Sequence, residues 1–462
     1  MNKPIKSVWL SQSVLWGGAF AAMTLQALVT PALSESAPQT LQDNPRALVD
    51  EVWQIVNNEF VDRGFNRVDW QEKRQELLSG DYVNSKQAYK AIRQALKELG
   101  DPYTRFLAPE DFSVLTSQTS GELSGVGVRL AVDKRTSSLY VVDTVKNSPA
   151  MEAGIKSGDR IIRINDKPAA LMTIEQAQEE IKGEVGTQIS LQLSRKDKGV
   201  FQVNLTRAQI EIASVNYSVK QEDNLKVGYI RLDEFSSHAA EQMKEAISDL
   251  GKQKVTGYVL DLRGNPGGLL FASVDIARMF LKQGEIVSTI DRRGGDRHFS
   301  ANGTALTDLP LVILVNEGSA SASEILTGAL KENARATVVG TTTYGKGTVQ
   351  SVHSLSDGSG LAVTIARYYP PSGTDINHKG IKPDVYLDLS MEEQLQFKNE
   401  PDIMGSNADP QYKRAITVLK THPSAKFVRP EPKPVGLRWE NLRETMKEEN
   451  PRWQSSPKPE TR

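Results

Sequence analysis

The sequence contains no cysteine. That absence excludes disulfides, zinc–thiolate centres and cysteine nucleophiles together. It leaves the redox compartment open, because an exported chain can do without thiols. Histidine is scarce: His238, His298, His353, His378 and His422 are the whole complement. None stands in a recognisable nucleophile–base motif, so any hydroxyl nucleophile would need a base of another type. Excess charge of one sign is missing too, with 56 basic against 57 acidic residues. Such a balance offers no nucleic-acid footprint and no polybasic patch for an anionic membrane. Beyond the N-terminus no stretch approaches the roughly 18 apolar residues of a membrane span, so the mature body is expected to be soluble.

What is present begins with an export signal. Lys3 and Lys6 precede a mostly apolar stretch, Val14 to Val29, and Ala32 and Ser34 provide the small residues of a cleavage site. Residues 1–34 are therefore expected to be a signal peptide, with an uncleaved membrane anchor as the alternative. The 462 residues, 39% of them hydrophobic, suffice for about three domains with cores of their own.

Three textures follow one another. Over 45–118 apolar residues recur at helical spacing, as in Leu48, Val52, Ile55, Val56 and Phe60, and again in Ala88, Ile92, Ala95 and Leu96. The run Asp101-Pro102-Tyr103-Thr104-Arg105-Phe106-Leu107 reads as a proline-marked turn with nothing catalytic in it. Over 119–208 short strands and turns predominate, with a capping box at Thr173-Ile174-Glu175-Gln176 predicting a helix to about Ile181. Over 209–395 apolar strands, among them 255–262 and Leu311–Val315, alternate with helical segments, the pattern of a layered α/β domain. Residues 396–462 read as a C-terminal extension, partly disordered towards its Pro-, Lys- and Glu-rich end, where Trp439 and Leu442 could dock a short helix.

The chemistry concentrates in two motifs of the α/β region. Ser321 lies in Gly318-Ser319-Ala320-Ser321-Ala322-Ser323-Glu324, between a buried-type strand and a predicted helix. A helix N-terminus offers unpaired N–H groups and partial positive charge, so the N–H of Ala322 suits an oxyanion. The loop Arg263-Gly264-Asn265-Pro266-Gly267-Gly268 follows another apolar strand and could bring a second donor, since its glycines let backbone approach a reacting carbonyl. Lys346 lies in Tyr344-Gly345-Lys346-Gly347-Thr348-Val349-Gln350. Burial would depress its pKa from about 10.4 towards 7–8 and make it a base. Gln350 is a neutral candidate to hold the amine without raising that pKa. A phosphate-binding loop is the rival reading of Lys346, but Gly347 stands where Ser or Thr should hold magnesium, and strand rather than helix follows. The choice among Ser319, Ser321 and Ser323 stays open on these grounds.

At these residues the chain resembles the C-terminal processing peptidases, or tail-specific proteases, of cyanobacterial type. The resemblance spans roughly residues 101–383 and includes Asp-Pro-Tyr-Thr-Arg-Phe-Leu, Gly-Glu-Leu-Ser-Gly-Val-Gly-Val, Leu-Arg-Gly-Asn-Pro-Gly-Gly and both motifs above. It implies a multidomain α/β protein: an N-terminal helical region, an inserted PDZ domain and a crotonase/ClpP-like protease core. It implies Ser321 as nucleophile, Lys346 as general base, Gln350 as its support, and the backbone of Gly267 and Ala322 as oxyanion donors. The PDZ resemblance implies a carboxylate-binding loop at Leu123, Ser124, Gly125, Val126, Gly127 and Val128, with Ala177 and Ile181 beside it, although ordinary core packing accounts equally well for Val126, Val128, Ala177 and Ile181. Implied partners are exported proteins with a free C-terminal tail, in the periplasm or thylakoid lumen, with a photosystem II reaction-centre precursor as one candidate; no cofactor or metal is implied. A non-catalytic PDZ scaffold is the alternative. A trypsin-like PDZ protease would need a His/Asp/Ser triad on two β-barrels, against the alternating pattern after Val227.

Overall fold

The computed structural model describes residues 44–421 except 134, 135 and 137. The expected signal segment, and the tail with Trp439 and Leu442, lie outside the described residues.

Three helices, Pro45–Glu59, Trp70–Ser79 and Ser85–Glu98, open the chain. Each starts at a residue whose side chain accepts first-turn N–H groups, namely Asn44, Asp69 and Asn84. Leu48, Val52, Val56, Ile92 and Leu96 form a core, but Leu355, Leu361 and Val363 from far down the chain complete it. Those three belong to or adjoin the hairpin of strands Thr348–Ser354 and Gly360–Tyr369, on which the helices sit. His353 Nε2 with Glu59 at 2.8 Å and Tyr89 Oη with Asp357 at 2.6 Å add polar ties.

A short antiparallel ribbon, Glu122–Gly125 with Ala208–Glu211, carries the chain into and out of the strand-rich module. The module's strands run Val128–Asp133, Ser138–Thr144, Arg160–Ile164, Gln188–Arg195 and Gly199–Thr206 in spatial as in sequence order, all antiparallel. Val128–Asp133 is thus an edge strand. The capping box forms as the sequence predicts: Gln176 N donates to Thr173 Oγ1 at 3.2 Å, and Thr173 N to Gln176 Oε1 at 2.9 Å. The helix it starts spans Ile174–Ile181.

The third region is built on a six-stranded sheet in the order Val215–Glu222, Leu225–Leu232, Gly257–Asp261, Leu311–Val315, Thr337–Gly340, Val385–Tyr386; the first pair is antiparallel and the rest parallel. Strand periodicity divides its residues between two cores. Leu311, Ile313 and Val315 share one with the helices Ala239–Lys252, Leu270–Phe280 and Ala322–Glu332. Val312 and Leu314 share the other with Tyr412, Ala415, Ile416, Val418 and Leu419 of the helix Pro410–Thr421. Covering on both faces explains why Leu311–Val315 is apolar throughout. Past residue 395 the helix Pro410–Thr421 is the outer layer of the sheet, and a cut before it would expose a core.

Candidate active site

The strand Leu311–Val315 ends in a turn that enters the helix Ala322–Glu332 at its N-cap, Ser321. Ser321 has φ 52° and ψ −110°, a left-handed backbone that costs a side-chain-bearing residue energy and so needs support from its surroundings. That support is on hand. Ser319 Oγ donates to Leu262 O at 2.8 Å and accepts from Asn316 N at 3.0 Å. Ala320 N and Ser323 Oγ both donate to Asn265 O at 3.0 Å. The hydroxyls of Ser319 and Ser323 are therefore committed to backbone carbonyls, which sets Ser321 apart from its neighbours. Sequence reasoning alone had no access to this distinction.

Lys346 is fully buried, 0% exposed. Burial pushes its pKa well below 10.5, and the positive charge of Arg105 pushes the same way, while Asp101 and Glu324 oppose them. Its ammonium position lies 4.9 Å from the centroid of the Tyr103 ring. The strand that follows, Thr348–Ser354, turns away as half of a hairpin, so a phosphate loop is not formed. Gln350 is buried, and its Nε2 donates to Thr348 Oγ1 at 2.9 Å and Thr364 Oγ1 at 3.1 Å, which fixes the orientation of its amide. Three of the histidines lie beside carboxylates elsewhere: His238 by Glu122, His298 by Glu285 and Asp296, His353 by Glu59. His378 is exposed.

Two residues bind the serine turn to the lysine loop. Glu324, 0% exposed, receives four donors: Thr343 Oγ1 at 2.6 Å and Gly345 N at 2.7 Å on Oε1, Lys346 N and Ser321 N each at 2.9 Å on Oε2. One oxygen atom thus takes the amides of both Ser321 and Lys346. Burial raises the Glu324 pKa, and the four donors draw it back down. Opposite it, the Tyr368 hydroxyl lies between the carbonyl oxygens of Ser321, at 3.2 Å, and Lys346. Burial lifts the Tyr368 pKa well above 10, so the hydroxyl keeps its proton and donates. The spacing Ser321-x-x-Glu324 is a capping-box signature and could have flagged the glutamate; Tyr368 carried no signal.

In the glycine loop the expected donor is already engaged. Gly267 N donates to Asn265 Oδ1 at 2.8 Å, so in this conformation its N–H is engaged within the loop rather than presented to a substrate. Asn265 Nδ2 meanwhile holds Leu232 O at 2.8 Å. The loop also carries a parallel bridge to Phe235, with Phe235 N donating to Gly267 O and Leu269 N to Phe235 O. Ala322 opens its helix, so its N–H has no carbonyl one turn behind it. Beneath the loop, Arg263 joins Asp261 and Asp409, donating to Asp409 Oδ2 at 2.7 Å and to Gln411 Oε1 at 2.9 Å.

The strand-rich module divides its expected binding residues. Leu123, Ser124 and Gly125 belong to the entry ribbon, paired with Ile210, Gln209 and Ala208, which makes them strand rather than loop. Val126 and Gly127 form the connection to the edge strand. Val126, Ala177 and Ile181 are buried together in the module's core, and Val128 is half-buried against them.

Comparison with known proteins agrees with this geometry. Residues 226–387 match peptidase family S41, and residues 140–195 match the PDZ domain. A carboxyl-terminal-processing protease from Synechocystis sp. is 38% identical over 406 residues, covering 87% of this chain and 93% of its own length. The chloroplastic carboxyl-terminal-processing peptidase 3 of Arabidopsis thaliana is 38% identical over 381 residues, covering 79% of this chain and 73% of its own. The solved structure of a photosystem II D1 C-terminal processing protease aligns with a TM-score of 0.50 at 35% identity, over 80% of this chain and 99% of that one. With a relative this similar over nearly nine-tenths of its length, the chain belongs to peptidase family S41, among the carboxyl-terminal-processing proteases.

Proposed function

We propose that Ser321 is the nucleophile and Lys346 the general base of a peptidase that removes C-terminal segments from exported proteins. The observation that carries this reading is the complete burial of Lys346 on a loop sharing one carboxylate oxygen with the Ser321 turn. A buried amine is held neutral, the form a base requires. Lys346 takes the Ser321 proton as Oγ attacks the scissile carbonyl, then delivers it to the departing amine. Water next attacks the acyl-enzyme, Lys346 receives its proton, and that proton returns to Ser321 as the new carboxyl product leaves. The tetrahedral oxygen is met by Ala322 N–H, and by Gly267 N–H once Asn265 releases it. Gln350 steadies the base through its two threonines. A scaffold without catalysis would leave the buried lysine and the left-handed backbone at Ser321 without purpose.

The substrate tail adds as a strand beside Val128–Asp133, its carboxylate received by the Val126-Gly127 connection. The place of action is the thylakoid lumen or a periplasm-like space, a reading supported by cyanobacterial and chloroplastic relatives and by the export signal read at 1–34. Among the described residues no helix is long and apolar enough to cross a membrane. A photosystem II reaction-centre precursor is the first substrate to try. Incubating such precursors with the protein and with Ser321→Ala, then measuring intact mass, tests the reading. Loss of a discrete C-terminal mass with the parent only is expected; equal cleavage by Ser321→Ala refutes the nucleophile.

A further inference from the structure

The segment Asp101–Arg105, a mere turn by its sequence, lies against the proposed base. Tyr103 presents its ring to the Lys346 amine at 4.9 Å from the centroid. Asp101 shapes the turn: Oδ1 accepts from Tyr103 N at 3.1 Å and Oδ2 from Thr104 Oγ1 at 2.6 Å. Thr104 Oγ1 accepts from Thr364 N at 3.0 Å, and Thr364 Oγ1 accepts from Gln350 Nε2 at 3.1 Å. A hydrogen-bonded line therefore runs from Asp101 through Thr104 and Thr364 to Gln350. Arg105 then opens a strand that pairs with Gly360–Tyr369, Arg105 opposite Ala362. Its Nε is buried with no hydrogen-bond partner among the described residues. Burial disfavours the charge of Arg105, and the Asp111 carboxylate favours it.

We propose that Asp101–Arg105 is a positioning element for the general base, in which Tyr103 closes the Lys346 amine from water, Asp101 and Thr104 tie the turn to Gln350, and Arg105, on the strand that follows, contributes positive charge to the same region. This rests on Lys346 being the base. Lys346 faces two carboxylates, Asp101 and Glu324, each favouring its protonated form, and neutral Tyr103 and Tyr368. After burial, Arg105 is the main influence in the other direction. The arginine thereby offsets the carboxylates that the architecture needs for shape.

The test is the pH dependence of kcat/KM for the full-length enzyme on a tail-bearing peptide, since that parameter reports ionisation of the free enzyme. In Arg105→Gln the acid limb is expected to move to higher pH by about one unit, with activity approaching the parent at alkaline pH. Arg105→Lys, which keeps the charge, should leave the limb in place. Asp101→Asn should move it to lower pH, and decides the matter if Arg105→Gln does not fold. A limb that stays put in both Arg105→Gln and Asp101→Asn, or moves equally in Arg105→Lys, overturns the proposal. A parent profile with no acid limb would instead overturn Lys346 as base.

Discussion

Glu324→Gln isolates what the buried carboxylate does. Glutamine can keep its oxygen towards Thr343 and Gly345, but its amide then faces the N–H groups of Ser321 and Lys346, both 2.9 Å from the present Oε2. Two hydrogen bonds to a charged acceptor, each worth about 1.5–3 kcal/mol, become donor–donor contacts. Against that loss of about 3–6 kcal/mol stands relief of a buried charge's desolvation, itself several kcal/mol. The net stability change is therefore modest, on the order of 1–2 kcal/mol. Catalysis has no such compensation, because both reacting segments hang from the same oxygen. A displacement of ~1 Å between nucleophile and base costs ~100-fold, or about 2.7 kcal/mol in the barrier. The expected outcome is kcat down ~100-fold with KM little changed, in a protein whose urea midpoint shifts only slightly. Steady-state kinetics on a tail-bearing peptide, with urea unfolding alongside, measures both. A Glu324→Gln enzyme within about threefold of the parent kcat would refute the idea that this carboxylate aligns the pair.

Lys346→Arg should be as inactive as Lys346→Ala, because a guanidinium does not give up its proton near neutral pH; substantial peptidase activity in the arginine variant would displace the lysine from its role. Amidating a substrate's C-terminus should lower kcat/KM, and equal rates for acid and amide would remove carboxylate capture by the PDZ domain. Asp409→Asn leaves Arg263 buried with one carboxylate fewer and should cost about 3–5 kcal/mol in urea unfolding, a loss under about 1 kcal/mol contradicting the pairing. Burial alone would raise the Asp261 pKa, but Arg263 holds it below 3.8, so the stability this pair contributes is present above that pH and is lost as pH falls further; a stability profile flat down to pH ~2 would count against it.

What the sequence disclosed was what depends on near neighbours. The Thr173 capping box, the apolar strand Leu311–Val315 and the lysine between two glycines each announce themselves within a few residues. Residues that act through distant partners did not. Tyr103 and Thr104 acquire meaning only in the fold, where the Lys346 amine lies over the Tyr103 ring and Thr364 links Thr104 to Gln350. Tyr368 reads as one more strand residue until its hydroxyl is found between two carbonyls. Ser319, Ser321 and Ser323 are chemically alike, and only the partners of their hydroxyls and the backbone of the middle one separate them. Pro410–Thr421 follows a polar stretch, so its amphipathic side gave no hint of the sheet it covers. Leu123 and Ser124 read as part of a glycine loop because their pairing strand lies at the far end of the module.

The attachment of Arg263 to Asp409 has a consequence for when the enzyme comes into being. Ribosomes deliver the strand under the glycine loop early and the helix Pro410–Thr421 late. Until Asp409 has been made, Arg263 lacks one of its two carboxylates and the sheet one of its coverings. A nascent chain that already contains Ser321 and Lys346 but not yet residues 409–421 therefore lacks both that ion pair and the packing on one face of the sheet.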